Sequence, residues 1–280
     1  MKKLRGRIFL DRVFFFTIVA LSTITIAPLF LILFHIIKNG ISAINWDFFF
    51  SLPKPTGEEG GGIANAIVGS AIIVGIATLL LVPLGVFTGV YLSENRETKL
   101  SNVVRTLTEI LQSTPSIVMG IIGYIWLVRT MGTFSALAGG IALGIMMLPI
   151  IVRTTEEVLN LIPEDMKEAS YALGVPYHRT ILKVVLPAGF NGITSGILLG
   201  ISRIAGETAP LLFTSFGNQF MNLNILKPMS AIPLVIFVYS SSPYPDWWRM
   251  AWGASFILVI FVLILNILGR LLGTRWKTRF

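Results

Sequence analysis

Six apolar runs dominate the sequence, near Val13 to Ile37, Ile63 to Leu92, Val103 to Val128, Ser135 to Val152, Gly192 to Thr214 and Met250 to Leu272. A hydrocarbon core about 30 Å thick is crossed by roughly 20 residues of helix, and inside it every backbone N–H and C=O must be bonded within its own segment. The runs therefore predict an all-α polytopic membrane protein with six transmembrane helices. Composition agrees, since 54% of the 280 residues are hydrophobic and 13% charged, with a mean hydropathy of +0.79. Such values are foreign to a soluble domain.

The net charge of +8 is a matter of orientation rather than of nucleic-acid binding. With the N-terminus in the cytoplasm, 16 of the 22 basic residues fall in inside segments, from Lys2 and Arg12 through Arg96, Arg105, Arg153 and Lys183 to Arg270 and Arg279. Five lie outside, and Arg203 sits within a span. The positive-inside rule then places both termini in the cytoplasm, as an even number of spans requires. The chain has no cysteine, which excludes disulfides, iron–sulfur ligation and thiolate zinc sites. The first run follows a basic tail, Met1 to Arg12, but is long and lacks an A-x-A cleavage site, so it reads as a retained span.

Two parts follow in chain order. Residues 1–62 hold the tail, the first span and an outside loop in which Trp46 and its phenylalanines suit an interfacial belt. Residues 63–280 hold five spans and a cytoplasmic loop over 153–190. Small residues at Gly85 and Gly89, and at Gly139, Gly140 and Gly144, predict close helix packing. Glu109, Gln112, Ser113 and Thr114 open the third span as pore-lining or interfacial groups, on a helix read as continuous from Lys99 to Val128. The dipeptide Gly-Lys occurs nowhere, so the chain has no Walker A loop with which to hydrolyse ATP.

The 153–190 loop carries the first specific signal. Pro163 followed by Glu164 and Asp165 starts a helix, because proline suits a first turn and acids suit its positive end. Gly174 fits a left-handed cap, and Pro176 forces a turn. A second helix from His178 to Val185 is expected to close at Pro187. Glu168-Ala169-Ser170, three residues, Gly174, nine residues, Val184, one residue, Leu186-Pro187 resembles the EAA loop of ABC importer permeases. Ser170 for alanine and Val184 for isoleucine are the departures. In that family the loop rests in a groove of a cytoplasmic ATPase, which implies coupling roles for Glu168, Ala169, Ser170 and Gly174. An amphipathic helix lying on the bilayer is the alternative reading.

Arg203 and Glu207 are expected near the centre of the fifth span, where each charge costs about 2.5–3.5 kcal/mol unless it faces protein, water or a partner. At about 100° per residue they share one face with Gly192, Gly196 and Gly200. Pro210 removes the bond to the carbonyl of Gly206 and predicts a weak point beside Glu207. The pair serves a substrate path or gate, or else is a structural ion pair. The string I-S-R-I-A-G-E-T-A-P-L-L-F-T is similar to the PstA-type permeases of phosphate-specific ABC importers. So are G-G-I-A-N-A-I-V-G-S at Gly61 to Ser70, P-S-I-V-M-G at Pro115 to Gly120, and Leu186 to Gly200.

The resemblance implies a MetI-like, type I importer-permease fold in a bacterial or archaeal cytoplasmic membrane. It implies a non-catalytic subunit that pairs with a homologous permease (PstC-like), two cytoplasmic ATPase subunits (PstB-like) and an extracytoplasmic phosphate-binding protein (PstS-like). The remaining partner is membrane lipid, and no cofactor is expected. Arg203, Glu207 and Pro210 are the path or gating candidates. Two other readings stand: a permease for another oxyanion such as molybdate or phosphonate, and an ion-coupled secondary transporter or channel. An intramembrane hydrolase is disfavoured, since His35 and His178 fall on opposite sides of the membrane.

Overall fold

A computed structural model describes residues 2–274 apart from Thr56, Gly57 and Glu59. The expected basic anchors Arg275, Lys277 and Arg279 lie outside the described residues. Eleven helices are described: α1 (Lys2–Ile41), α2 (Trp46–Phe50), α3 (Ala64–Glu94), α4 (Lys99–Ser113), α5 (Ser116–Met131), α6 (Ala136–Asn160), α7 (Glu164–Ala172), α8 (Tyr177–Ala205), α9 (Ala209–Thr214), α10 (Ile232–Ser240) and α11 (Pro245–Thr274). Five of them, α1, α3, α6, α8 and α11, are long and apolar enough to cross a membrane. The bent pair α4 and α5 makes a sixth where its two halves count as one broken span.

The bundle is built on α6. Two thirds of its apolar window (67%) is buried, against none of that of α1, so α6 is the axis and α1 a peripheral helix. Glycines set the approach of its neighbours. A Cβ on Gly85 or Gly89 of α3 would meet Ile151 or Thr155, and one on Gly140 or Gly144 of α6 would meet Ile76 or Leu81. The small-residue expectation holds on both helices. From the other side α8 lays Gly192 against Val158, Gly196 against Thr154 and Gly200 against Met147.

Four sequence expectations need correction, and three of them concern proline. The helix read as continuous from Lys99 to Val128 turns through 104° between α4 and α5. Proline disfavours helical geometry in the residue before it, and Thr114 and Pro115 are both extended in ψ, at 130° and 139°. Pro187, by contrast, closes nothing: α8 runs straight through it. A wide turn over Ile181–Val185, in which Leu186 N–H reaches back to the Ile181 carbonyl, absorbs the missing donor and the ring. The helix therefore reaches the loop as one rod instead of ending there. The fifth span does break beside Glu207, over Gly206 to Thr208, but not because a continuing helix lacks the donor of Pro210. Pro210 then sits in the first turn of α9, where no N–H is needed.

The fourth correction concerns the segments read as loops or interface. Between the last two apolar runs, where no helix is expected, lies α10, whose Ile232, Leu234, Val235 and Tyr239 are buried. The end of α9 and the chain leading to α10 supply the N-terminus of α6 with acceptors: Ser135, Ala136 and Leu137 N–H bond the carbonyls of Thr214, Lys227 and Ile225. Phe48 of the aromatic stretch is fully buried against Gly253, while Trp46 and Phe50 remain exposed. Only those two suit an interfacial belt. At the start of the chain, the basic tail is already helical from Lys2, and α6 continues past Pro149 to Asn160. The 153–190 loop is correspondingly shorter as a loop, since helices enter it from both sides.

Gly69 of α3 shows how tightly the α10 segment is seated. A Cβ there would lie within 2 Å of the Ser230 carbonyl oxygen, backbone that no side-chain rotation relieves. Gly69→Ala should therefore destabilise the fold by about 1–3 kcal/mol, whereas Gly75→Ala, with nothing within 4 Å of its Cβ, should be neutral or stabilising. Thermal unfolding of the two variants in detergent checks this, with Gly69→Ala lower in Tm.

Candidate functional site

The loop that matches the EAA pattern is held by its own sequence. Pro163 precedes α7, and Glu164 and Asp165 stand in its first turn. At the other end Gly174 adopts φ +75°, Gly174 N–H bonds the Tyr171 carbonyl at 2.9 Å, and Val175 N–H bonds the Ser170 carbonyl at 3.2 Å. These two bonds form a Schellman cap with glycine in the left-handed position, as the sequence predicts. Glu168 and Ala169 point to solvent. Ser170 faces inward, its hydroxyl 2.9 Å from that of Thr180 on α8, so the serine in place of alanine serves an internal bond. Leu173 and Leu161, more than 80% exposed, flank the helix ends and give this polar loop an apolar contact surface.

The second constellation lies where α8 breaks. Gly192, Gly196 and Gly200 meet Val158, Thr154 and Met147 in turn, so α8 runs antiparallel to α6 and carries Arg203 one turn beyond Gly200. It stands in the last turn of that helix rather than inside one. Glu207 falls in the break. Among the described residues no ion pair joins it to Arg203, since the helical i to i+4 geometry ends at Gly206. The glycines of α8 face α6, while Arg203 is exposed.

Arg203 lines a cleft of about 330 Å³ with Gln112, Arg153, Glu157, Ile150 and Leu199. Arg153 and Glu157 form an i, i+4 pair at 3.3 Å. Two guanidinium groups, one carboxylate, one amide and the Thr154 hydroxyl beside Ile150 and Leu199 are suited to an oxyanion held briefly, since arginine presents forked donors that never deprotonate. Sequence reasoning singled out Arg203 and Gln112 but placed Arg153 only on the inner flank. The available signal was its base-then-acid spacing, the same as that of Arg203 and Glu207. The α4 to α5 elbow lies close by: a Cβ on Gly120 would be 2.9 Å from Pro210 Cα. Two helix breaks therefore meet beside one cleft, an arrangement found where membrane helices open onto a polar path. Among the described residues no cluster of side chains could hold a metal ion.

Residues 81–278 match the family described as binding-protein-dependent transport system inner membrane component. The phosphate transport system permease protein PstA of Yersinia pestis is 43% identical over 247 residues, covering 88% of this chain and 84% of that protein. The chain belongs to the PstA family of transport permeases. A probable member from Methanocaldococcus jannaschii is 37% identical over 262 residues, covering 93% of this chain and 92% of its own. Among solved structures, a chain of the MetNI methionine ABC transporter in an inward-facing conformation aligns with a TM-score of 0.64 at 20% identity, covering 78% of this chain and 96% of that one. At that identity it shows the fold, which is the MetI-like fold expected. This PstA-family permease is accordingly a multi-pass inner-membrane protein of the transport type and a component of an ABC system. Such a system comprises an ATPase and a binding protein as well.

Proposed function

We infer that this chain is the transmembrane subunit of an ATP-driven importer of inorganic phosphate. It forms half of a path completed by a homologous, PstC-like permease. The observation that carries this reading is the relationship, over nearly the whole chain, to permeases named for phosphate transport in both a bacterium and an archaeon. Both termini are cytoplasmic, in keeping with the basic-residue asymmetry. One of two PstB-like ATPases engages the loop through α7, where Glu168 and Ala169 meet the partner while Ser170 and Gly174 hold the helix in shape. A PstS-like binding protein delivers phosphate at the opposite face. Arg203 receives the anion in its cleft, and Glu207 and Pro210 belong to the break through which the path changes access. The subunit itself catalyses no reaction.

Reconstitution tests the reading. The chain co-expressed with its neighbouring transport proteins and placed in proteoliposomes should accumulate labelled phosphate only with ATP inside the ATPase compartment and binding protein present. Molybdate and phosphonate should compete weakly. Uptake driven by an ion gradient without ATPase subunits would overturn it in favour of a secondary transporter, and stronger competition by another oxyanion would reassign the substrate.

A further inference from the structure

Glu94, the last residue of α3, joins three helices. Its Oε1 accepts from Lys167 Nζ of α7 at 2.6 Å, and its Oε2 accepts from the Tyr177 hydroxyl, the first residue of α8, at 3.3 Å. The Glu94 and Lys167 side chains are each only 9% exposed, although both lie on the loop side of the molecule where water is close. The other ion pairs around this loop are more open: Arg96 with Glu164 is 46% and 66% exposed. A solvated face needs no such pair, and removing one partner of a buried pair leaves an uncompensated charge.

The position of the node gives it a use. α7 is bound covalently to α6 through Leu161 to Pro163 and to α8 through Leu173 to Pro176, but nothing in the chain path binds it to α3. Ser170 and Thr180 add a buried bond between α7 and α8. Glu94 supplies the link to α3, and does so with one oxygen for each neighbour. On the far side Arg105 of α4 bonds the Leu92 carbonyl and Glu156 of α6, at 3.3 and 2.8 Å, so the same end of α3 is also braced against α6. α3 is packed along α6 through Gly85, Gly89, Gly140 and Gly144, and therefore moves with it.

We propose that Glu94 is a positioning residue for energy coupling: through Lys167 and Tyr177 it makes α7 and the ends of α3 and α8 one rigid lever. A displacement imposed on α7 by the ATPase then reaches α3 and the Arg203-bearing helix together, instead of being absorbed in the loop. The role requires a rigid two-sided joint, which a charge-assisted bond at 2.6 Å supplies in a partly dry setting. It rests on the importer reading above, because a lever has meaning only with an ATPase docked on α7.

The test uses the whole complex in proteoliposomes and records three quantities: ATPase subunits copurified per permease, ATP hydrolysed, and phosphate moved per ATP. For Glu94→Gln and Lys167→Met, the ATPase should copurify at the unmodified ratio and hydrolysis should continue, while phosphate moved per ATP falls at least tenfold. The exchanged pair Glu94→Lys with Lys167→Glu should recover half or more of that ratio. Should a single variant fail to accumulate, Glu94→Leu with Lys167→Met removes both charges and leaves an apolar contact. It should assemble and still be uncoupled, and its failure to assemble would assign the pair to folding alone and overturn the proposal. Loss of the ATPase from the single variants, an unchanged phosphate-to-ATP ratio, or an exchanged pair no better than the singles would each overturn it too. If the unmodified complex itself moves no phosphate with ATP, the importer reading fails, and that result is distinct from any of these.

Discussion

Replacing Arg203 by glutamine is expected to cut phosphate uptake about a hundredfold or more, because a hydrogen bond to a charged group is worth about 1.5–3 kcal/mol and a guanidinium fork makes two. The complex should still assemble and hydrolyse ATP. The geometry favours that separation: Arg203 is exposed at the edge of its cleft and makes no ion pair with Glu207 among the described residues, so no intrachain partner is stranded by its loss. Arg203→Lys retains the charge without the fork, and should recover only part of the rate. Failure of Arg203→Gln to assemble with the partner permease would make the residue structural. Normal uptake would remove it from the path altogether.

Much of this arrangement could be read from residue order, and the exceptions share a cause. Apolar length found every long span, because lipid demands a complete internal set of backbone bonds whatever the neighbours are. The Gly174 cap was legible since its bonds are local, and the glycine contacts of α3, α6 and α8 since small residues in lipid have few other uses. Prolines were not legible individually. Pro115 breaks a span, Pro187 is absorbed by a widened turn, and Pro210 begins a new helix. A proline removes one donor in each case, but only the packing around it decides whether the chain bends, widens or stops. Lys167 lies in the expected 153–190 loop with nothing beside it in sequence to mark it as buried, and its partner Glu94 is 73 positions earlier. α10 was hidden for a similar reason, being a nine-residue apolar helix between the last two runs that is too short to cross a membrane.

Gly174→Val should weaken coupling through the backbone alone. The residue sits at φ +75° with nothing within 4 Å of a Cβ built on it, so a larger side chain meets space but not an allowed conformation. A non-glycine residue in the left-handed region costs about 1–2 kcal/mol, and a β-branched one is more strained still. Relaxing that strain means giving up the bonds from Gly174 and Val175 to the Tyr171 and Ser170 carbonyls, which frays the last turn of α7 beside Glu168 and Ala169. ATPase copurification should fall, and phosphate uptake should drop by roughly tenfold, the equivalent of about 1.4 kcal/mol. Asparagine tolerates the left-handed region, so Gly174→Asn should retain most of both activities even though it adds a larger side chain than alanine. If valine and asparagine impair the complex equally, the space above Gly174 is needed for contact with the ATPase and the cap conformation is not the cause. If valine leaves ATPase retention and uptake at the unmodified level, α7 couples without its cap.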